Sequence, residues 1–406
     1  MRKIFTVISL LMLGSCLSED GASPGNASTF VRYYNGGNND TAQAMEETPD
    51  KGFIILATTR IQKSEAEIPN FKIKLIKTDA AGNPVWQSIF PPIDVKDKNY
   101  TASSLQIMAD GGYVITGEDI QQNGTSKLLV MKVNQTGALD GTVASLTPLG
   151  SGKAVAVNSA GNFLVLSSTG TDSMRLAEVD KGNFAAVKWS KTYSAGSTSL
   201  ATRLFIDESG KALWSGVATK SGLTGIRMVK TAPNAENTDF DLLISVPGFS
   251  EVAKDFCRFG INYAMTGSTN QKAGLATAGG DTDILFKQVA TDGTVIATKS
   301  FPFDNDTQND VGNSISATRD GGLVILSSVN SLAISGRADR DTDYFLIRIN
   351  AFGDKIWTSG FGSRYKDDGV TVRQTSDGGY AVLGTTTQGQ LKIITLTKTD
   401  VNGKIE

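Results

Sequence analysis

Residues 377–384 read Asp-Gly-Gly-Tyr-Ala-Val-Leu-Gly, a turn sequence followed by an aromatic residue, three apolar residues and a small residue. The glycines can adopt the positive φ angles of a tight β-hairpin, and a short apolar run is typical of a strand buried on both faces. The phrase returns as DKGFIILA at 50–57, DGGYVITG at 110–117 and DGGLVILS at 320–327, and in weaker form at three other places. The first strand residues after the turns are Phe53, Tyr113, Phe163, Ala212, Tyr263, Leu323 and Tyr380. These seven copies predict seven repeats of one β unit.

Each repeat has room for four strands. After the repeated phrase comes a variable loop and then a third strand, such as the run Tyr-Phe-Leu-Ile-Arg-Ile at 344–349, which leads into a glycine turn. The fourth strand often carries two aromatic residues four positions apart, which places both rings on one strand face. The pairs are Trp86 with Phe90, Trp189 with Tyr193, and Trp357 with Phe361. We interpret these rings as packing between repeats, with a ligand platform as the alternative.

The two ends of the repeat array complement each other. The last repeat reaches Glu406 without a fourth strand, whereas residues 30–37 precede the first repeat. Phe30 and Tyr34 in that segment are four positions apart, like the aromatic pairs of the fourth strands. The sequence therefore predicts an all-β fold: a seven-bladed β-propeller of four-stranded blades over 30–406. An N-terminal strand would complete the last blade and close the ring.

The chain begins MRKIFTVISLLMLGSC, with two basic residues followed by an apolar segment too short to span a bilayer. This pattern predicts a signal peptide over 1–15. Leu-Gly-Ser-Cys at 13–16 resembles the lipobox of bacterial lipoproteins, which implies lipidation of Cys16. Ordinary cleavage at a small residue is the alternative. Residues 16–29 are rich in Gly, Ser and Pro, which is typical of a flexible tether.

The repeat resembles the roughly 55-residue propeller repeats of Bacteroidota surface lipoproteins. It shares their DGGY turn, their third-strand ending Lys-Thr-Asp, seen at 398–400, and their Trp-led fourth strand. The resemblance implies a fold and a compartment but no defined activity. Leu17, next to the cysteine, favours the outer membrane over the inner one. The acidic pair Glu19 and Asp20 resembles a surface-export signal, so we expect a lipid-anchored protein facing the cell exterior.

Composition excludes several classes of function. The chain has no histidine, which excludes Ser-His triads and His-ligated metals. Its 39 basic and 41 acidic residues are nearly balanced, and no basic stretch suited to a phosphate backbone is present, which argues against nucleic acid as a partner. Only Cys257 remains once Cys16 is assigned to the anchor. We interpret Cys257 as a small buried strand residue, not a reactive thiol.

A candidate binding face follows from the loop lengths. In the predicted fold, loops between second and third strands share one face with the blade-to-blade connections, and the long segments 58–70, 267–282 and 327–342 belong there. Variable loops on a rigid scaffold commonly bind partners. The acidic residues expected on this face are Asp281, Asp283, Asp304, Asp306, Asp310, Asp339, Asp341 and Asp343.

Calcium is a possible ligand of this face. The alternating carboxylates Asp304, Asp306 and Asp310 could direct oxygens at one ion. The glycine of a calcium loop is missing after Asp343, however, and solvated loops or strand-start capping are the alternative. No other cofactor is expected.

A second set of carboxylates recurs at equivalent positions. Asp40, Asp310 and Asp367 each precede the turn position at 50, 320 and 377 by ten residues. Repetition of this kind favours a structural role, such as accepting hydrogen bonds from backbone amides at a strand start. A ring of carboxylates around the propeller axis is the functional alternative.

No catalytic constellation is visible in the sequence. We therefore expect a non-enzymatic binding or scaffold module, whose partner is an outer-membrane protein, a glycan or a secreted protein. The alternative is a glycan hydrolase or lyase that uses two carboxylates.

Overall fold

A computed structural model describes residues 28–62, 69–170, 172–194, 199–220, 222–272, 280–302, 309–329 and 342–405. Within these ranges the chain forms 28 strands in seven separate four-stranded antiparallel sheets. The first strand of each blade packs against the first strand of the next blade, all the way round. The predicted seven-bladed β-propeller is confirmed.

The strands follow one order in every blade, from the axis outward. Blade 1 contains β2 (Asn39–Glu47), β3 (Phe53–Ile61), β4 (Asn70–Thr78) and β5 (Pro84–Phe90); blade 2 contains β6 (Asn99–Ile107), β7 (Tyr113–Ile120), β8 (Ser126–Val133) and β9 (Ala144–Leu146). Blade 3 contains β10 (Ser151–Val157), β11 (Phe163–Thr169), β12 (Ser173–Val179) and β13 (Val187–Ser194); blade 4 contains β14 (Ser199–Ile206), β15 (Ala212–Lys220), β16 (Leu223–Thr231) and β17 (Thr238–Ile244). Blade 5 contains β18 (Glu251–Phe259), β19 (Asn262–Thr269), β20 (Asp283–Val289) and β21 (Val295–Phe301); blade 6 contains β22 (Val311–Ala317), β23 (Leu323–Val329), β24 (Asp343–Ile349) and β25 (Lys355–Phe361). Blade 7 contains β26 (Lys366–Gln374), β27 (Tyr380–Gln388), β28 (Leu391–Thr399) and, outermost, β1 (Phe30–Tyr34).

The N-terminal strand β1 closes the ring as predicted. It pairs antiparallel with β28, and Phe30 lies opposite Lys398. Trp86 lies opposite Lys77 in the same way, so Phe30 occupies in blade 7 the position that tryptophan holds in blade 1. The Phe30 ring packs edge-on against Phe53 of blade 1, with centroids 6.5 Å apart. Blade 7 is therefore built from both ends of the repeat array.

The fourth-strand aromatics pack between blades. The Trp86 ring of blade 1 lies 6.1 Å from Tyr113 of blade 2, and the Trp357 ring of blade 6 lies 5.8 Å from Tyr380 of blade 7. Each of these contacts joins a tryptophan to the first residue after the next blade's turn. The repeated aromatic positions are therefore part of one inter-blade packing scheme.

The Asp-Gly-Gly hairpins use their first glycine at positive φ, with φ of 90° at Gly378. At Asp50, Asp320 and Asp377, the turn aspartate accepts a hydrogen bond from a threonine hydroxyl two residues earlier, at 2.6 Å between Thr375 and Asp377. A third-strand cation then reaches back to the same carboxylate. The pairs are Lys77–Asp50, Lys132–Asp110, Arg348–Asp320 and Lys398–Asp377. This contact explains the lysine of the Lys-Thr-Asp ending. The lysine links the third strand to the turn between the first and second strands.

The ionised aspartates of these turns predict that the protein becomes less stable as the pH falls. Partial burial of Asp50 opposes its ionisation, but hydrogen bonds from Lys77 and Thr48 lower its pKa to about 2. A pKa below the unfolded value, about 3.9, stabilises the fold above that pH, and the contribution is lost as pH falls towards 2. We expect the free energy of unfolding, measured by urea denaturation between pH 6 and 2, to fall more gently in Asp50→Asn than in the wild type. Parallel curves for the two proteins would contradict this role.

Every first strand contains a β-bulge at the same position, next to the residue that pairs with the small residue four places after each turn anchor. In blade 5 the bulge lies between Ala253 and Asp255, directly beside Gly267. A Cβ on Gly267 would lie 1.7 Å from the carbonyl oxygen of Val252. A larger side chain is therefore excluded, because it would overlap backbone atoms that cannot shift without a large energetic cost.

We expect Gly267→Ala to destabilise the protein by about 1–3 kcal/mol or more, since 1–3 kcal/mol is the usual range for overpacking. The control is Gly280→Ala, because no atom of the described residues, its chain neighbours apart, lies within 4 Å of a Cβ at that position. Urea unfolding of both variants measures the difference. Equal midpoints would show that the bulge does not fix the residue at 267.

Candidate functional site

The propeller has two unlike faces. The long-loop face carries the connections between second and third strands and between blades. The short-turn face carries the first-to-second and third-to-fourth turns. The three segments predicted as long loops start later than expected, because residues 58–61, 267–269 and 327–329 still belong to strands β3, β19 and β23.

Of the eight acidic residues predicted on the long-loop face, four lie within the residues that the structure describes. Asp304, Asp306, Asp339 and Asp341 lie outside the described residues, as does Cys16. Asp281 and Asp283 lie at the start of β20, and both contact Lys272, whose ammonium is 2.8 Å from Asp281 Oδ2. Asp310 and Asp343 are 4% and 3% exposed. Among the described residues, no three acidic or thiol side chains cluster closely enough to share a metal ion.

The recurring aspartates at the first-strand starts are buried and bonded. Asp40 forms an ion pair with Lys74 at 2.6 Å, and both side chains are almost fully buried. Asp367 accepts hydrogen bonds from the Ser363 amide, at 2.6 Å, and from the Thr386 hydroxyl. Burial raises the pKa of Asp367. These contacts favour the structural interpretation over an open carboxylate ring.

Glu251 is a further carboxylate at this position, which the sequence pattern did not reveal. It begins β18, is fully buried, and lies 2.9 Å from the ammonium of Lys287. The ten-residue spacing that marked the aspartates fails here, because the blade 5 turn at Phe259–Gly260 has no aspartate. Only the strand register shows that Glu251 occupies the position equivalent to that of the recurring aspartates.

Charged residues of the first strands lie along the central channel in two matched pairs. Arg203 of blade 4 lies 3.1 Å from Asp255 of blade 5, and Arg373 of blade 7 lies 3.3 Å from Glu46 of blade 1. Asp255 also accepts a hydrogen bond from Ser314 at 2.8 Å. The two acids balance the two arginines, so these four side chains contribute no net charge to the channel.

A cavity of about 400 Å³ lies in this channel, lined by blades 1 to 4, including Glu46, Arg203, Phe205 and Val157. Cys257 belongs to strand β18 of blade 5 and packs against the apolar cluster between blades 5 and 6. Burial and the nearby Asp255 carboxylate raise the pKa of its thiol to about 12. The thiol therefore stays protonated at neutral pH and is a poor nucleophile, in agreement with its interpretation as a strand residue.

A larger groove, of about 1270 Å³, opens on the long-loop face between blades 1 and 2. Its apolar lining comes from Ile61, Phe71, Ile93 and Ile120, and its polar lining includes Asn70, Asp94, Lys96, Asp97 and Gln121. Ile93 is 52% exposed although it is aliphatic. An apolar recess with a polar rim is the usual composition of a binding site.

Lys72 holds one wall of this groove in place. Its side chain is buried, and its ammonium donates hydrogen bonds to the carbonyl oxygens of Val95 and of Lys98, the latter at 2.9 Å. Burial lowers the pKa of Lys72. The connection at 91–98, between β5 and β6, is thus fixed to the third strand of blade 1. This contact could not be predicted from the sequence, since Lys72 has the spacing of an ordinary polar residue in an alternating strand.

Comparison with known proteins supports the architecture. No protein-family model matches the chain, and no curated protein matches it. A solved protein of unknown function from Dyadobacter fermentans is 10% identical over 91% of this chain and 97% of that one, with a TM-score of 0.52. Sqt1 of Chaetomium thermophilum, solved with the N-terminus of ribosomal protein L10, is 12% identical over 90% and 98%, with a TM-score of 0.50. At such identities the likeness concerns the fold alone, and this chain is similar to these proteins as a β-propeller.

Proposed function

We propose that this protein is an outer-membrane lipoprotein, anchored through Cys16 and exposed at the cell surface, whose propeller binds a protein partner without catalysing a reaction. The lipobox-like segment at 13–16 and the acidic pair that follows it support the anchor and the location. No helix of the described residues is long and apolar enough to cross a membrane.

The groove between blades 1 and 2 is the observation that carries the binding role. Its lining exposes aliphatic and aromatic carbon to solvent, which is costly unless a partner covers it. Asp94, Lys96 and Asp97 on the connection at 91–98 supply charge of both signs around it. An extended protein segment, with apolar side chains for the recess and polar backbone for the rim, fits this surface.

The groove can be tested with one matched pair of variants. Ile93→Glu places a charge in the groove, whereas Ile296→Glu places it on the outer strand β21, at nearly equal exposure (52% and 51%). Partners captured by cross-linking on intact cells are identified by mass spectrometry. We expect one protein to be recovered with the wild type and with Ile296→Glu but not with Ile93→Glu. Equal recovery with all three proteins, or binding to a glycan array that Ile93→Glu leaves unchanged, would overturn the proposal.

An enzyme that uses two carboxylates is the alternative. Asp343 of blade 6 and Asp367 of blade 7 are near neighbours, since a Cβ on Gly362 would lie within 2.9 Å of both carboxylates. They are 3% and 0% exposed, however, and a sugar needs direct contact with both groups. The binding role therefore has the stronger structural support. Cleavage of any glycan by the wild type, lost in Asp367→Asn, would reverse this order.

A further inference from the structure

The polypeptide enters the propeller at the short-turn face. Phe30 begins β1 and lies opposite Lys398, close to the turn at 400–404 that follows β28. The corresponding turn of blade 1 is equally close, since a Cβ on Gly82 would lie 2.6 Å from the Phe30 ring. Whatever precedes Phe30 is therefore attached at this face, where blades 7 and 1 meet.

The length of chain between Cys16 and Phe30 limits how the propeller can face a membrane. Those 14 residues span about 50 Å when fully extended and about 20 Å on average as a flexible coil. A nine-residue strand such as β28 is about 30 Å long. To bring the long-loop face to the bilayer, the tether would have to run back along the whole blade in a nearly extended form. Conformational entropy favours the opposite orientation.

The short-turn face also presents two prominent apolar side chains. Ile261, in the turn between β18 and β19, is 77% exposed, and Phe352, in the turn between β24 and β25, is 76% exposed. Blade 6, which carries Phe352, adjoins the blade that receives the tether. Apolar and aromatic side chains on projecting turns are stabilised in the interfacial layer of a bilayer.

We propose that the short-turn face lies against the lipid surface, that Phe352 and Ile261 contact the bilayer there, and that the long-loop groove is directed away from it. This orientation rests on the proposed anchor at Cys16. It places the groove between blades 1 and 2 where a partner outside the cell can reach it.

Energy transfer to labelled lipids tests the orientation. The full lipoprotein is reconstituted in phosphatidylethanolamine and phosphatidylglycerol vesicles that contain an acceptor lipid. A donor dye is attached at Ala80→Cys, on the short-turn face of blade 1, or at Gln122→Cys, on the long-loop face of blade 2; both positions are exposed. The unsubstituted protein gives the labelling background of Cys257. We expect several-fold greater transfer from position 80 than from position 122.

The outcomes separate the anchor from the orientation. Equal transfer from the two positions, or more from position 122, with the protein bound to vesicles, overturns the orientation and leaves the anchor intact. If Cys16→Ser binds the vesicles as well as the wild type does, the anchor itself is wrong. The double variant Phe352→Ser and Ile261→Ser is expected to lower transfer from position 80, and unchanged transfer would remove the direct bilayer contact.

Discussion

Tyr34→Ala is expected to lower the free energy of unfolding by about 3–5 kcal/mol, the range for removal of a large aromatic side chain from a core. Tyr34 is 5% exposed and packs in the cluster that joins blade 7 to blade 1. Its hydroxyl donates a hydrogen bond to the carbonyl oxygen of Gly82, at 2.8 Å. The substitution therefore removes both the packing and the polar contact that hold β1 across the junction of the two blades.

The adjacent residue supplies the control. Tyr33 belongs to the same strand and keeps the same backbone pairing, but its side chain is 54% exposed. Tyr33→Ala is expected to cost less than about 1 kcal/mol, as surface substitutions usually do. Urea denaturation followed by tryptophan fluorescence measures both variants. A loss at Tyr34 as small as the loss at Tyr33 would mean that ring closure does not depend on the buried side chain of β1.

Lys74→Met is expected to cost about 3–5 kcal/mol, because it leaves the Asp40 carboxylate buried without its partner. The two side chains are 5% and 1% exposed, and 2.6 Å separates Lys74 Nζ from Asp40 Oδ2. Removal of both charges together, in Lys74→Met with Asp40→Leu, is expected to restore most of the lost stability. The pair joins the first and third strands of blade 1 near the long-loop face.

An exposed pair in blade 7 tests whether burial is the cause. Lys366 lies 2.8 Å from Asp368, but these side chains are 49% and 44% exposed. Lys366→Met is expected to cost less than about 1 kcal/mol, since solvent screens such a pair. A large loss at Lys366, or a double variant at 74 and 40 no more stable than Lys74→Met alone, would contradict this explanation.

The architecture was predictable because each blade repeats the same sequence signals for turns, buried strands and inter-blade packing. The turns at 50, 110, 320 and 377, the apolar run after each and the aromatic pairs of the fourth strands are all visible in the sequence. Ring closure by Phe30 followed from the spacing between Phe30 and Tyr34. The smallness of Gly117 and Gly267 was visible too, but its cause was not, since a bulge adds one residue to a strand without any residue type that marks it.

The site was much less predictable. Lys72 and Glu251 act through contacts that depend on strand register and on neighbouring blades, and neither lies in a motif. The groove depends on how Lys72 and Asn70 hold the connection at 91–98 against blade 1, which no periodic pattern encodes. The lipidation of Cys16 and a calcium site at Asp304 and Asp306 stay predictions from the sequence.

The position of β1 has a consequence for the order of events during biosynthesis. Phe30–Tyr34 is among the first segments of the propeller to be synthesised, yet its partner β28 comes last. Six blades can form while the chain is still emerging, but blade 7 must wait, because its pairing joins the two most distant parts of the array. Until then the unpaired edge of β28 and the aromatic face of β1 are open to other chains. Ring closure is therefore the step that both completes folding and protects these two strands from aggregation.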